Sequence, residues 1–466
     1  MTQDVTYYLQ RGRLLAESHH FDEALDILHS ARLMAPTNPN VHLCLANVLL
    51  INGNSTDALA HAKLAVGFSG EAVGALLTLA LIQRELGEIA DAIPTIERAI
   101  NSTPQLPELH DCLGLLHQDA GEHEQAIRCF NEAINRRGYF PLAQLHRGTS
   151  YLMHAQFEDG WKDYETRFEA VPPRRNLPNI PRWKGTDLND ERLLVICEQG
   201  IGDQIMFASC IPDLISRAKR CTIECAPKLT ELFRRSFPQA TVLAATEASP
   251  TYPKDDAEFA IPIGSLPGIF RRRIDDFPHH SGYLTADSKR RQRWRTRLDE
   301  LGPELKVGIA WRGGTPTTRA TRRSIALAQL DPILTARNVK CVSLDHTAHE
   351  FEVCEIQHRL GNVLHVWKDA IENYDETAAL VSELDLVISV QTAVVHLAGA
   401  LGKPAWVLVP SVPEWRYMQT GMEMPWYPSV RLTRQNNLGD WSTVINEIRD
   451  NLAKFAVSTQ RRPSIQ

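Results

Sequence analysis

Small residues return at an interval of 34 along the first 172 residues of this chain. One series runs Gly12, Ala46, Ala80, Gly114 and Gly148, and a second runs Ala24, Ala58, Ala92, Ala126 and Gly160. A third, Ala31, Ala65, Ala99 and Ala133, is broken at its next position by Arg167. Between them lie Leu28, Ala62, Ile96, Phe130 and Tyr164, and the units close at Pro36, Gly70, Pro104, Gly138 and Pro172. Small residues at fixed helical offsets let two helices approach closely, and Pro or Gly ends the second one. The period predicts five helix–turn–helix units over residues 1–172, pairing for example 5–18 with 21–35. The fifth unit is atypical: Phe157-Glu158-Asp159-Gly160-Trp161 adds aromatics and Arg167 replaces a packing residue. An end repeat must cap the stack or dock it onto a neighbour.

A chain of 466 residues has room for roughly three domains at about 100–200 residues each. Its net charge of −6 argues against a general nucleic-acid binder. The basic clusters Arg271-Arg272-Arg273 and Lys289-Arg290-Arg291 read as solvated faces or loops, with anion binding as the alternative. The nine cysteines are odd in number and scattered, and Cys221 and Cys225 bracket a strand, a poor arrangement for a shared metal. Neither a disulfide framework nor a zinc site is expected. Met1-Thr2-Gln3-Asp4 opens no signal peptide and no apolar run is long enough to span a bilayer, so the expected location is the cytoplasm, with no membrane span.

Four prolines between Pro172 and Pro181 rule out regular helix there, which predicts an extended connector over 173–191. From Arg192 the rhythm changes. Short apolar, β-branched runs alternate with helical stretches: Leu193–Cys197, Cys221–Cys225, Thr241–Ala244 and Glu258–Pro262, then Val307–Trp311, Lys340–Leu344, Leu384–Val390 and Ala405–Val409. Such runs read as parallel strands covered on both faces. Two Rossmann-like domains are expected, 192–290 and 303–456, split near Ser288–Glu304, with a disordered tail over 457–466. The fold class is therefore α + α/β, and chemistry is to be sought in loops beyond the carboxyl ends of the strands.

Three such loops stand out. Glu198-Gln199-Gly200-Ile201-Gly202-Asp203 follows the first strand, where two glycines allow a tight turn and the next helix offers free N–H groups. Asp203 reads either as the N-cap of that helix or as a general base pointing into a cleft. In the second domain, Trp311-Arg312-Gly313-Gly314 leads into Arg319, Arg322 and Arg323. This suits an anion such as phosphate, or is a solvated basic loop. Ser389-Val390-Gln391-Thr392-Ala393-Val394-Val395-His396 is a strand end entering a helix, with Thr392 at the cap, where a diphosphate can sit. His396 lies one turn in, as a ligand-facing group or a packed one. After a further strand, Trp415 or Tyr417 offers either a base-stacking surface or core packing.

The repeat region resembles the tetratricopeptide (TPR) family, whose arrays hold protein partners in a concave groove. The rest resembles glycosyltransferases of the GT-B architecture, in particular the heptosyltransferase-like group and its bacterial TPR-fused members. The likeness rests on Gly160-Trp161 with Tyr164-Glu165, Pro181-Arg182-Trp183, Glu198 to Asp203, Asp385 to Ser389, His396 to Gly402, Pro425-Trp426-Tyr427-Pro428 and Gly439-Asp440-Trp441. The layout is also similar to that of the O-linked N-acetylglucosamine transferases and of bacterial flagellin glycosyltransferases.

This resemblance implies transfer of a sugar from a nucleotide-sugar donor, without a metal or other cofactor, with inversion. It makes Asp203 the catalytic base and Arg312 and His396 its partners at the leaving group. Gly200, Gly202, Trp311, Gly313, Gln391, Thr392, Ala393 and Trp415 become the donor-binding set. Gln391 departs from the pattern, since many relatives carry Asp there. The implied acceptor is a protein Ser or Thr brought by the TPR groove, flagellin being the candidate. A catalytically inactive scaffold, or an enzyme acting on a glycan or lipid-linked acceptor, are the alternative readings.

Overall fold

The computed structural model describes residues 5–171, 177–188, 190–218, 220–245, 257–314, 320–346 and 350–460. It divides into two units, one holding residues 1–150 and the other 151–314 and 322–466.

The first unit is a stack of antiparallel helix pairs: Val5–Glu17 with Phe21–Met34, Pro39–Ile51 with Ser55–Ser69, Val73–Leu86 with Ile89–Ser102, and Pro107–Asp119 with His123–Arg137. The expected punctuation is where the period placed it. Gly70 ends its helix in the left-handed region at φ 63°, and Ala35 and Thr103 are C-caps directly before Pro36 and Pro104. The small-residue ladder is a volume match between paired helices. A methyl group on Gly12 would fall 2.7 Å from Leu28 Cγ, and one on Gly114 would fall 2.5 Å from Phe130. Where the facing residue is Ala62 or Ile96, Ala46 and Ala80 fit, all fully buried. The fifth pair, Pro141–Met153 and Phe157–Tyr164, crosses the boundary, and its second helix belongs to the other unit.

That second unit carries two all-parallel sheets. Strands β1 (Arg192–Ile196), β2 (Arg220–Cys225), β3 (Thr241–Ala244) and β4 (Phe259–Pro262) lie in the order β3-β2-β1-β4. Strands β5 (Leu305–Ala310), β6 (Val339–Ser343), β7 (Leu364–His365), β8 (Leu386–Val390), β9 (Ala405–Val409) and β10 (Val430–Arg434) lie in the order β10-β9-β8-β5-β6-β7. All six residues of β5 and all five of β8 are buried, as a sheet covered on both faces requires. The chain leaves β5 toward β6 and returns to β8 on its other side, so the order reverses between β5 and β8. Loops at that point splay apart and leave a crevice.

Several expectations change. Ser288–Glu304 is no bare split: Ser288–Asp299 is a helix capped by Asp287, whose side chain accepts from Arg290 N. It lies on helix Tyr374–Glu383 through Arg290 to Glu376, Arg291 to Glu383 (2.6 Å), Arg295 to Glu383 (2.8 Å) and Trp294 Nε1 to Glu376 (2.8 Å). Arg271 is likewise buried, paired with Asp213 at 2.6 Å. Arg271, Arg290 and Arg291 are thus held in ion pairs within the fold, while Arg272, Arg273 and Lys289 are exposed as a solvated face requires. β7 and β10 went unseen because one is two residues long and the other is half-exposed and interrupted by arginines. The connector's second half is docked: Trp183 N donates to Ala260 O and Ala260 N to Pro181 O, both at 2.9 Å, with Trp183 buried. Pro172 to Asn176 and Arg319 lie outside the described residues. The last helix runs Ser442–Gln460, so residues 457–460 of the expected tail are helical.

Candidate functional site

A cavity of about 180 Å³ opens beyond the carboxyl ends of β5, β6 and β8, at the reversal of strand order. Ala310 and Arg312 line it from β5, Leu344, Asp345 and His346 from β6, and Thr392, Ala393 and Val394 from β8. Ile371, Tyr374 and Thr377 form one wall, and Ile201 and Lys228 reach it from the four-stranded sheet.

Each positive element of the cavity has a local cause. Thr392 is the N-cap of helix Ala393–Ala400, its hydroxyl accepting from Val394 N at 3.2 Å and contacting Ser389 Oγ at 3.3 Å. Val395 N donates to Thr392 O at 3.2 Å, and Ala393 and Val394 bring the helix start to the cavity wall; helix N-termini attract anions. Asp345, buried beneath the β5 loop, accepts from Arg312 N at 2.9 Å and Trp311 N at 3.3 Å and so folds Arg312 over the cavity mouth. Arg312 Nη2 meets Glu352 at 2.6 Å, leaving both side chains about a quarter exposed (27% and 28%).

Most of the remaining expected residues are structural. Trp311 is fully buried in the core under the six-stranded sheet. Gly313 is present because of a close approach: a methyl there would lie 2.8 Å from Gln391 O and 3.1 Å from Arg323 O. Gly202 serves helix contact, since its methyl would lie 3.2 Å from Ala393 Cα and from the His396 ring. Gly200 is the N-cap of helix Ile201–Phe207, at φ −65° and ψ 163°, so Asp203 is not the cap. Trp415 is no base-stacking surface: it packs against Trp161 (5.6 Å), Tyr164 (5.5 Å) and Phe207 (6.4 Å).

His396 is 4% exposed and donates to or accepts from Tyr427 Oη through Nδ1 at 3.2 Å. Burial, then Arg416 and Arg323, pushes its pKa down to about 3. A ring held neutral and absent from the cavity wall supplies no charge to a leaving group, which corrects its catalytic assignment. Gln391 is also fully buried: Oε1 accepts from Glu414 N (3.3 Å) and its carbonyl accepts from Arg323 (2.6 Å). It braces the loop after β9 and does not touch the cavity.

The β1 loop is committed to internal partners. Glu198 meets Arg167 at 2.9 Å, with only 8% and 9% of those side chains exposed, and Gln199 Oε1 accepts from Tyr164 Oη at 2.9 Å. Arg167 also donates to Ser265 Oγ at 2.9 Å. The residue that breaks the small-residue series is thus a buried tie from the last repeat to β1. Burial works against its cation, but Glu198 and Glu165 outweigh that and raise its pKa. Asp203 Oδ1 accepts from Arg416 Nε at 2.6 Å. Burial weakens the Arg416 cation too, while Asp203, Tyr164 and Glu414 more than compensate and lift its pKa.

Lys228, Asp345, His346 and Tyr374 went unrecognised in the sequence. Lys228 follows β2 and Asp345-His346 follow β6, so the rule placing ligands beyond strand ends was the available signal.

A family model described as tetratricopeptide repeat matches residues 9–72. Protein FlbA of Caulobacter vibrioides is 28% identical over 470 residues, spanning 96% of this chain and 78% of FlbA. Among solved structures, a thermophilic TPR protein of Thermus thermophilus matches at 21% identity and TM-score 0.34, over 36% of this chain and 92% of its own. The Pseudomonas aeruginosa pilF structure matches at 13% identity and TM-score 0.34, over 46% of this chain and 85% of its own. No helix among the described residues is long and apolar enough to cross a membrane. Residues 9–72 thus carry tetratricopeptide repeat sequence, and the chain is similar to a bacterial protein along nearly its whole length.

Proposed function

We propose that the second unit is a GT-B glycosyltransferase that moves a sugar from a nucleotide-sugar donor to a protein Ser or Thr, with the TPR array recruiting the acceptor, flagellin being one candidate. The cavity between β5 and β8 carries this reading. It combines a helix N-terminus, an arginine and, from the opposing sheet, a lysine, which together suit a diphosphate. Arg312 and Lys228 supply the positive charge that a metal supplies in other transferases. Asp203 takes the acceptor proton in this scheme, and the positive end of the helix that Thr392 caps stabilises the departing nucleotide.

The test is thermal unfolding with UDP, GDP, ADP and CMP. A nucleotide at 100 times its dissociation constant adds about 2.7 kcal/mol, a rise in Tm of several degrees. No shift with any of the four would overturn the reading. It would leave the scaffold, which the Asp203–Arg416 pair and the neutral Gln391 favour.

A further inference from the structure

The loop after β9 forms an unbroken polar path from the β8 elbow to the β1 elbow. Arg323 Nη2 donates to Gln391 O at 2.6 Å and its Nη1 meets Glu414 Oε1 at 3.4 Å. Glu414 N donates to Gln391 Oε1 at 3.3 Å, and Glu414 Oε2 meets Arg416 Nη1 at 3.5 Å. Arg416 Nε then donates to Asp203 Oδ1 at 2.6 Å. The loop is held from behind, because Arg416 stacks 4.6 Å over Trp415, which is wedged among Trp161, Tyr164 and Phe207. Gln391 is the residue directly before Thr392, so the residue bracing the Arg416 loop adjoins the cap of the cavity helix.

We infer that Arg416 is a positioning residue for Asp203: it crosses from the six-stranded sheet to fix that carboxylate's direction, with Gln391 and Glu414 setting the reach of the loop that carries it. This rests on the proposed function, in which Asp203 is the base. It also gives Gln391 a role. The amide is long enough to reach Glu414 N while its own carbonyl stays with Arg323, which a shorter carboxylate at that position would not reproduce. The groups around Asp203 are Arg416 and Glu414 from the β9 loop, Tyr417 beside them, Tyr164 from the last repeat, and His396 with Arg323 behind the helix contact. Arg416 and Arg323 are the cations of this set. Oδ2 of Asp203 makes no hydrogen bond to the described residues and is the oxygen left for an acceptor hydroxyl.

The experiment measures kcat and donor KM of transfer, using the nucleotide sugar whose nucleotide raises Tm, for wild type, Arg416→Gln, Arg416→Lys and Asp203→Asn. Arg416→Gln should lower kcat about 10²-fold, the loss typical of a misplaced reacting group, with donor KM changed less than about threefold. Arg416→Lys should recover part of kcat but not all of it, because a single ammonium keeps the charge and loses the fork. An Arg416→Gln enzyme with unchanged kcat, or one whose donor KM rises as much as its kcat falls, overturns the inference. If Arg416→Gln does not fold, Arg416→Lys with wild-type kcat overturns it equally. An active Asp203→Asn sinks the base assignment itself, separately from anything Arg416 does.

Discussion

Two strand-to-helix elbows, after β1 and after β8, look alike as sequence and differ as structure. Both end a buried parallel strand and start a short helix, and both offer N–H groups at the turn. After β1, Glu198, Gln199 and Asp203 are all taken up by protein partners, Arg167, Tyr164 and Arg416. After β8, Thr392 caps its own helix and the first turn borders a cavity. The local motif therefore fixes what a turn can bind; the elements packed against it decide what it does bind. The first elbow joins the two sheets and the last repeat, and the second borders a cavity.

The largest effect separating them is expected at the cavity mouth. Arg312→Ala removes a charge-assisted contact worth about 1.5–3 kcal/mol, so the stabilising nucleotide should bind roughly 10- to 100-fold more weakly by calorimetry. Unchanged affinity would mean that the β8 elbow is not the anion site. Next comes the packing of one elbow on the other. Gly202→Ala forces a methyl against Ala393 and His396 and should cost about 1–3 kcal/mol in denaturant titration. Gly200→Ala, with ordinary dihedrals and its nearest neighbour 3.6 Å away, should stay within about 0.5 kcal/mol. Equal effects from the two substitutions would dissolve the distinction between contact glycine and turn glycine.

The smallest per unit of change is the acid response of His396. Its pKa in the fold is about 3, below the ordinary 6.5, so between those values the unfolded chain binds a proton that the folded chain refuses. Stability should then be complete above pH 6.5 and fall by about 1.4 kcal/mol per pH unit between there and about pH 3. His396→Gln should flatten that slope measurably, with His61, His280 and His365, also lowered by burial, keeping a residual one. A slope indifferent to His396→Gln would show that the ring is hydrated and free to charge.

The repeat period and eight of the ten strands among the described residues were legible because periodicity and continuous apolar runs are local properties. The site was only partly so. Arg312, Thr392 and Ala393 stood where strand-end reasoning put them. Trp311, Trp415, Gln391, Gly202 and His396 share the same loops but point into packing, and the direction of a side chain in a loop depends on distant residues. Trp415 is buried by Trp161, far earlier in the chain, and Asp203 is held by Arg416, 213 positions away. Much of the family likeness rests on such residues: Trp183, Trp426, Tyr427 and Trp441 are each buried. They mark a fold more than a reaction.

The volume match along the ladder constrains how such a stack can be remade. Gly12 faces Leu28 and Gly114 faces Phe130, whereas Ala46 faces Ala62 and Ala80 faces Ile96. A helix moved alone from one rung to another brings the wrong partner: the Phe130 helix set against Ala46 meets a methyl where it needs none. The unit that can be duplicated, deleted or recombined is therefore the pair, cut at Pro36, Gly70, Pro104 or Gly138. Repeats exchanged at those seams should keep their stability, and repeats exchanged at the turn inside a pair should lose it.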